Sequence, residues 1–258
     1  MYDTVSSYDG DVFDDITVDK VPLHIPTVGF TVHLTAEDEH RKKFPLTNIA
    51  SAGSESKELT LPGVHSDIGG GYNNGDWEQV ILSESSQMLK KEKQKMLEQG
   101  WFKENQMTEH FEFLEGNRNV SNEYSLVILH LMAEFGKRKY KIAWDFEKVL
   151  DKEYKIPSAL NEAKERIDKY AFEGDKIVFY TKHELEAQRK KTWPSEQERD
   201  DFNLKVADHN MLITLRNKYL HCSASMDGIG MEPRMTKPTG TASNSFREII
   251  WKRFIIQG

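Results

Sequence analysis

Leu61-Pro62-Gly63-Val64-His65-Ser66-Asp67-Ile68-Gly69-Gly70-Gly71-Tyr72 is the stretch on which the reading of this chain turns. Residues 58–61 read as a short strand that breaks at Pro62-Gly63, because Pro and Gly punctuate chain direction more strongly than other residues. A loop follows that presents His65 and Asp67 at alternate positions, then three glycines in a row. Consecutive glycines are costly to order, so a fold keeps them where backbone approaches something closely or takes a positive φ. The expectation is close packing beneath a loop that carries chemistry. A phosphate cradle is a poor reading, since no Lys-Ser/Thr follows the glycines. His65 is the best candidate for proton transfer in the sequence. The plainer reading is a loop histidine that caps a neighbouring strand.

Residues 1–75 are rich in Gly, Pro, Val and Thr, with β-like runs upstream at 18–25 and 27–34 interrupted by Pro22 and Pro26. Met1-Tyr2 reads as the end of a buried strand and Asp3-Thr4 as the loop after it. Thr35 to Arg41 reads as a helical turn, with Thr35 as N-cap and acids ahead of bases. Residues 44–49 form another extended segment, and 51–57 a polar loop. Downstream the composition changes. Residues 79–100 read as a helix with Val80, Ile81, Leu89, Met96 and Leu97 inward, and Gly100 as its stop. The Lys-rich run 90–95 is a solvated face on this reading. Further helices are expected over 121–139, 157–172 and from Trp193-Pro194-Ser195 to about 219. His130 reads as a core or boundary histidine rather than a ligand. The tail 223–258 is loop-rich, and 246–256 is a strand or surface element. Trp101, Phe102, Phe111, Phe113 and Leu114 form an apolar-aromatic patch suited to an acyl site or lipid, with ordinary core packing as the plainer reading. The division is a β-rich part, 1–75, and a mainly helical part, 76–258.

A net charge of −7 over 258 residues argues against a general nucleic-acid binder. The lone cysteine, Cys222, excludes an internal disulfide framework, and no Cys/His zinc spacing occurs. No cofactor or metal is expected. The amino end has neither a basic region nor an apolar run, so no signal peptide or transmembrane segment is expected. Membrane contact would be peripheral.

Three motifs then occur in one order. Tyr2-Asp3-Thr4-Val5-Ser6-Ser7 resembles the strand-end "(F/Y)-D-T-V-(A/S)-S" motif of the α/β-hydrolase lipase effectors of bacterial type VI secretion. Val32 to Arg41 followed by Phe44-Pro45-Leu46 resembles their "H-x-x-A-x-D-E-x-R-x-x-F" segment. Pro62 to Tyr72 is similar to their last catalytic motif. The resemblance covers about the first 75 residues, with a weak echo at Tyr219-Leu220-His221-Cys222-Ser223. It implies an α/β fold, with 1–75 as the C-terminal part of an α/β-hydrolase sheet and 76–258 as a helical lid or accessory region. It also implies a Ser-Asp-His triad in which the histidine moves the serine's proton and the carboxylate fixes the imidazole tautomer. Carried over by residue, Asp3 is the triad acid and His65 the triad base. Two other assignments stay open. Asp67 is an alternative acid, or orders the glycine turn. His221 with Asp67 is an alternative acid–base pair. Asp38 and Glu39 read as structural, each an N-terminal helix charge or an Arg41 partner.

No G-x-S-x-G occurs in the sequence, and in the family this nucleophile elbow precedes the D-T-V motif. The chain therefore reads as the C-terminal portion of a phospholipase or esterase. It supplies acid and base without the nucleophile, is inactive alone and is poorly folded alone. The implied partners are a phospholipid substrate and an immunity or secretion-system protein. The implied location is the cytoplasm of a producing bacterium, with export by a contact-dependent secretion system. The rival readings are a non-catalytic hydrolase remnant that binds a partner, and a truncated product with no function of its own.

Overall fold

The computed structural model of the protein describes residues 1–5, 29–141, 146–189, 193, 195–228, 230–236 and 247–256. The run expected over 18–25, the start of 27–34, Ser6-Ser7, Pro194 and most of the loop over 233–245 lie outside these residues. The described chain is mixed α/β, with a small parallel sheet, an antiparallel sheet and helices.

β1 (Thr31–Ala36) and β3 (Ser56–Leu61) pair in parallel, from Thr31 opposite Ser56 to Ala36 opposite Leu61. β1 carries the β-branched residues Thr31, Val32 and Thr35, which suit a pleated surface. Apart from half-buried Val32 it is buried throughout, as parallel strands covered on both faces are. The amino end adds itself beside β1. The Leu34 amide donates to the Met1 carbonyl at 3.1 Å and the Asp3 amide donates to the Leu34 carbonyl at 2.7 Å, so Tyr2 bridges Leu34 in parallel. β2 (Leu46–Thr47) pairs in parallel with β7 (Ile255–Ile256) near the carboxyl end.

The helical turn expected over 35–41 is absent. β1 runs through Thr35 and Ala36, and 38–41 form an irregular segment. The cause is local competition for the same side chains. Thr35 Oγ1 donates to Thr60 Oγ1 across the sheet at 3.1 Å rather than capping a turn. The Asp38 and Glu39 carboxylates accept from the loop after β3 rather than from a first helical turn.

α1 (His65–Gly69) follows β3. β4 (Asp76–Ser83), β5 (Met107–Glu109) and β6 (Leu114–Val120) then form an antiparallel sheet in the order β4-β6-β5. The helix expected over 79–100 is thus corrected: its first part is β4, and only α2 (Leu89–Glu98) is helical. Val80 and Leu82 are buried two residues apart, a strand period hidden beneath an apolar run that also fits a helix. The Lys-rich face is not simply solvated. Glu92 is buried, Lys93 pairs with Glu104 and Glu109, and Lys95 lies over the Trp251 ring. Of the aromatic patch, Trp101, Phe102 and Leu114 are core and only Phe111 stands out in solvent.

α3 (Tyr124–Tyr140) follows β6. Its Val127, Ile128, Leu131 and Phe135 join Leu34, Leu59 and Leu61 in one hydrophobic cluster. α4 (Phe146–Glu153), α5 (Asn161–Glu173), α6 (Lys182–Arg189) and α7 (Glu196–Lys218) complete the helices. Residues 158–160 are a tight 3-10 turn rather than the start of α5. Ser195 caps α7 by accepting from the Glu198 amide at 3.2 Å. The same hydrophobic cluster takes in Met211, Leu212 and Leu215 of α7, so both parts of the chain contribute to one core. Among the described residues no helix is long and apolar enough to cross a membrane.

Candidate active site

Asp3 sits at the carboxyl end of the bridge with Leu34, fully buried, with φ of +40°. That is strained for a residue other than glycine, and it persists only where surroundings over-determine it. Here they do. The Asp3 amide is bonded to Leu34. The Thr4 amide donates to His33 Nε2 at 2.9 Å, while His33 Nδ1 meets Glu58 Oε2 at 2.9 Å. An amide donating to Nε2 needs its lone pair, so His33 carries hydrogen on Nδ1 and gives it to Glu58. His33 thereby holds the turn in which Asp3 lies. The first letter of the "H-x-x-A-x-D-E" segment has this role, which sequence reasoning did not assign.

His65 is the first residue of α1, on the loop that leaves β3. Its Nδ1 lies 2.8 Å from Asp3 Oδ2, and its side chain is 33% exposed against 0% for Asp3. A buried carboxylate on Nδ1 with the ring open to solvent is the arrangement an acid–base imidazole requires. The Phe44 ring packs edge-on at 5.5 Å. Asp3 also accepts from the Ala36 amide at 2.7 Å and from both ends of the Arg253 guanidinium. Burial alone would raise its pKa. The hydrogen bonds from His65 and Arg253, with the Arg253 charge, outweigh burial and hold the carboxyl below its ordinary value of 3.8.

The sign of the pH effect follows. A carboxyl with a depressed folded-state pKa stabilises the fold above its unfolded value and loses that contribution as pH falls through the folded value. The advantage of wild type over Asp3→Asn, measured as the urea midpoint, is therefore expected to shrink as pH drops below 3.8.

Two acids clamp the loop. Asp38 Oδ2 accepts from the Gly63 amide at 2.8 Å while its Oδ1 meets Arg216 at 3.1 Å. Glu39 is fully buried and takes a two-pronged pair from Arg41, the Ser223 hydroxyl and the His65 amide at 3.1 Å. Burial would raise the Glu39 pKa, but the Arg41 hydrogen bonds and charge bring it below the usual carboxylate range. Gly63 has φ of +116°, and a Cβ there would lie 3.0 Å from Asp67 Cβ and 3.3 Å from Leu220. Gly63→Ala is expected to cost about 1–3 kcal/mol, read as a lowered urea midpoint. Two of the three glycines are used as expected: Gly70 supplies a left-handed turn that ends α1 at φ +74°, and a Cβ on Gly71 would lie 3.2 Å from the Ser66 side chain, whereas a Cβ on Gly69 would meet nothing within 4 Å.

Asp67 does not contact His65 among the described hydrogen bonds. Its Oδ2 accepts from the Val64 and His221 amides, each at 3.0 Å, and its Oδ1 lies 2.7 Å from His221 Nδ1. The Tyr72 ring stacks on the His221 imidazole at 3.5 Å. Both members of this second pair are buried, and His221 Nε2 has no hydrogen-bond partner. Burial, the largest influence, drives the Asp67 pKa upward against the bonds from His221 and Val64. The pair seams the loop after β3 to the 219–223 segment. His130 Nε2 donates to the Tyr154 carbonyl, 2.8 Å away. Among the described residues no cluster of His, Cys, Asp and Glu has the makings of a metal site.

No family pattern matches the chain, and no curated protein matches it. Among solved structures it is similar to the Tle1 effector bound to the VgrG spike from the Type 6 secretion system. The identity is 18% and the TM-score 0.47, over 89% of this chain and 50% of that one. The chain thus spans about half the length of that effector chain, and the likeness is too slight to define a shared fold.

Proposed function

We propose that the chain carries the acid and base of a Ser-Asp-His ester hydrolase of the phospholipase or esterase class. His65 takes the proton from an attacking serine and returns it to the leaving alcohol. Asp3 holds hydrogen on Nδ1 and offsets the imidazolium charge that develops. The observation that carries the reading is the 2.8 Å contact between a fully buried Asp3 carboxylate and a partly exposed His65 ring. The strained Asp3 backbone, held from several sides, supports it. The buried and capped Asp67–His221 pair serves as a structural seam in this reading, since a base must reach its substrate. No G-x-S-x-G occurs in the sequence, so the reading takes the nucleophile from outside these residues. Residues 1–75 would supply the catalytic loops and 76–258 the accessory region. Secretion and an immunity partner rest on the sequence motifs alone.

The test is hydrolysis of a short-chain ester and of phospholipid vesicles. It compares the 258-residue chain with the chain joined to any in-frame sequence that its gene carries ahead of Met1. Turnover in the longer form, lost with His65→Ala, is the expected result. Turnover that survives His65→Ala overturns the assignment and turns attention to His221. Absence of turnover in both forms favours a non-catalytic remnant.

A further inference from the structure

We propose that Arg253 is a positioning residue of the Asp3–His65 pair, and that the 247–256 segment is therefore part of the site. The inference rests on the reading of that pair as acid and base. Arg253 Nη2 donates to Asp3 Oδ2 at 2.9 Å and Nη1 donates to Oδ1. Nη1 also donates to the Ala36 carbonyl at 3.1 Å, and Nε to the Phe44 carbonyl at 3.3 Å. The guanidinium side chain is 6% exposed. Such a fork fixes both carboxylate oxygens in one plane, and Asp3 Oδ2 is shared between Arg253 and His65 Nδ1.

The charge consequence is specific. A lone buried carboxylate on Nδ1 strongly favours the imidazolium, whereas a guanidinium on the same carboxylate offsets that pull. The other charged groups facing His65 are few. Glu39 accepts the His65 amide but is balanced by Arg41, and Arg41 lies over the Phe44 ring at 3.3 Å. Asp67, on the same helix as His65, is committed to His221. Arg253 is thus the group that tempers Asp3. The segment that carries it is docked by other contacts. Trp251 packs edge-on to His40 at 5.1 Å, Lys95 lies over its ring, Glu248 pairs with Lys91 at 2.8 Å, and the Leu46 amide donates to the Phe254 carbonyl at 2.9 Å.

The experiment is a proton NMR titration of histidine ring signals in the full 258-residue chain, with the His65 signal assigned by its loss in His65→Ala. Arg253→Gln is expected to raise the His65 midpoint by about one pH unit. Arg253→Lys, which keeps the charge, is expected to leave it near wild type, and Asp3→Asn combined with Arg253→Gln is expected to abolish the rise. An unchanged midpoint in Arg253→Gln, with the Trp251 environment intact by fluorescence, overturns the proposal. Should Arg253→Gln lose its fold, Arg253→Lys decides, and an upward shift of about a unit there overturns it equally. The titration needs no turnover. If hydrolysis proves independent of His65, the catalytic reading falls while the Arg253 coupling is still decided by the midpoint.

Discussion

Arg118→Met is expected to destabilise the fold by about 3–5 kcal/mol, which for a chain of this size corresponds to a loss of roughly 10 °C in Tm. Arg118 lies on β6 and is 1% exposed. Its Nε meets Glu78 Oε2 on β4 at 2.6 Å. Its Nη1 donates to the carbonyls of Trp101 and Arg216, and its Nη2 to that of Leu220 at 2.8 Å. One guanidinium thus joins the antiparallel sheet, the turn after α2 and the end of α7. Methionine fills the volume but takes a donor from the carbonyls of Trp101, Arg216, Asn217 and Leu220 and from the Glu78 carboxylate, which among the described residues keep only the Asn217 side chain on Trp101 and the Cys222 amide on Glu78. The cost comes from those stranded groups rather than from lost attraction. Adding Glu78→Gln removes the uncompensated charge, so the double variant is expected to recover part of the loss. Equal urea midpoints for the single and double variants would show that the charge is not the cause. The effect would extend to the site, because the Leu220 carbonyl precedes His221, whose amide and ring hold Asp67.

Asp3→Asn is expected to lower kcat by about 10^4-fold in a form of the protein that turns over ester, the size of effect that a carboxylate-to-amide exchange has in a serine triad. The side-chain volume is nearly unchanged. An amide nitrogen facing His65 Nδ1 would force hydrogen onto Nε2, the nitrogen that must receive the serine proton, so the base is lost while the ring stays in place. KM is expected to change little, since Asp3 is fully buried and cannot touch substrate. The kcat–KM split separates this from general damage to the pocket. A fall in kcat of less than about tenfold would remove Asp3 from the acid's role, because even one misplaced tautomer costs far more.

Local pattern made several elements legible. β3 ends at Leu61 as the Pro62-Gly63 break implies, α7 starts behind Ser195, and Ile128, Leu131 and Phe135 on the α3 apolar side are buried, with Leu126, Leu129 and Met132 partly so. These depend on residues within a few positions of one another. The errors share a cause. The apolar run of β4 fits a helix period as well as a strand period, and pairing with β6 decides between them. Thr35 to Arg41 has the composition of a helix start, yet the sheet claims Thr35 and the β3 loop claims the two acids.

The sequence by itself determined the residue types that chemistry needs: an aspartate at a strand end, a histidine after a Pro-Gly break, and two adjacent acids, Asp38 and Glu39, followed by Arg41. Only the tertiary structure decided how they pair. Both Asp3–His65 and Asp67–His221 lie within hydrogen-bond reach, so spacing could not choose between them. Their burial differs, since one ring opens to solvent and the other lies beneath Tyr72. The third partner of Asp3, Arg253, stands 250 residues away along the chain. No local pattern marks it, because its position is set by the packing of a distant segment against the loop after β1.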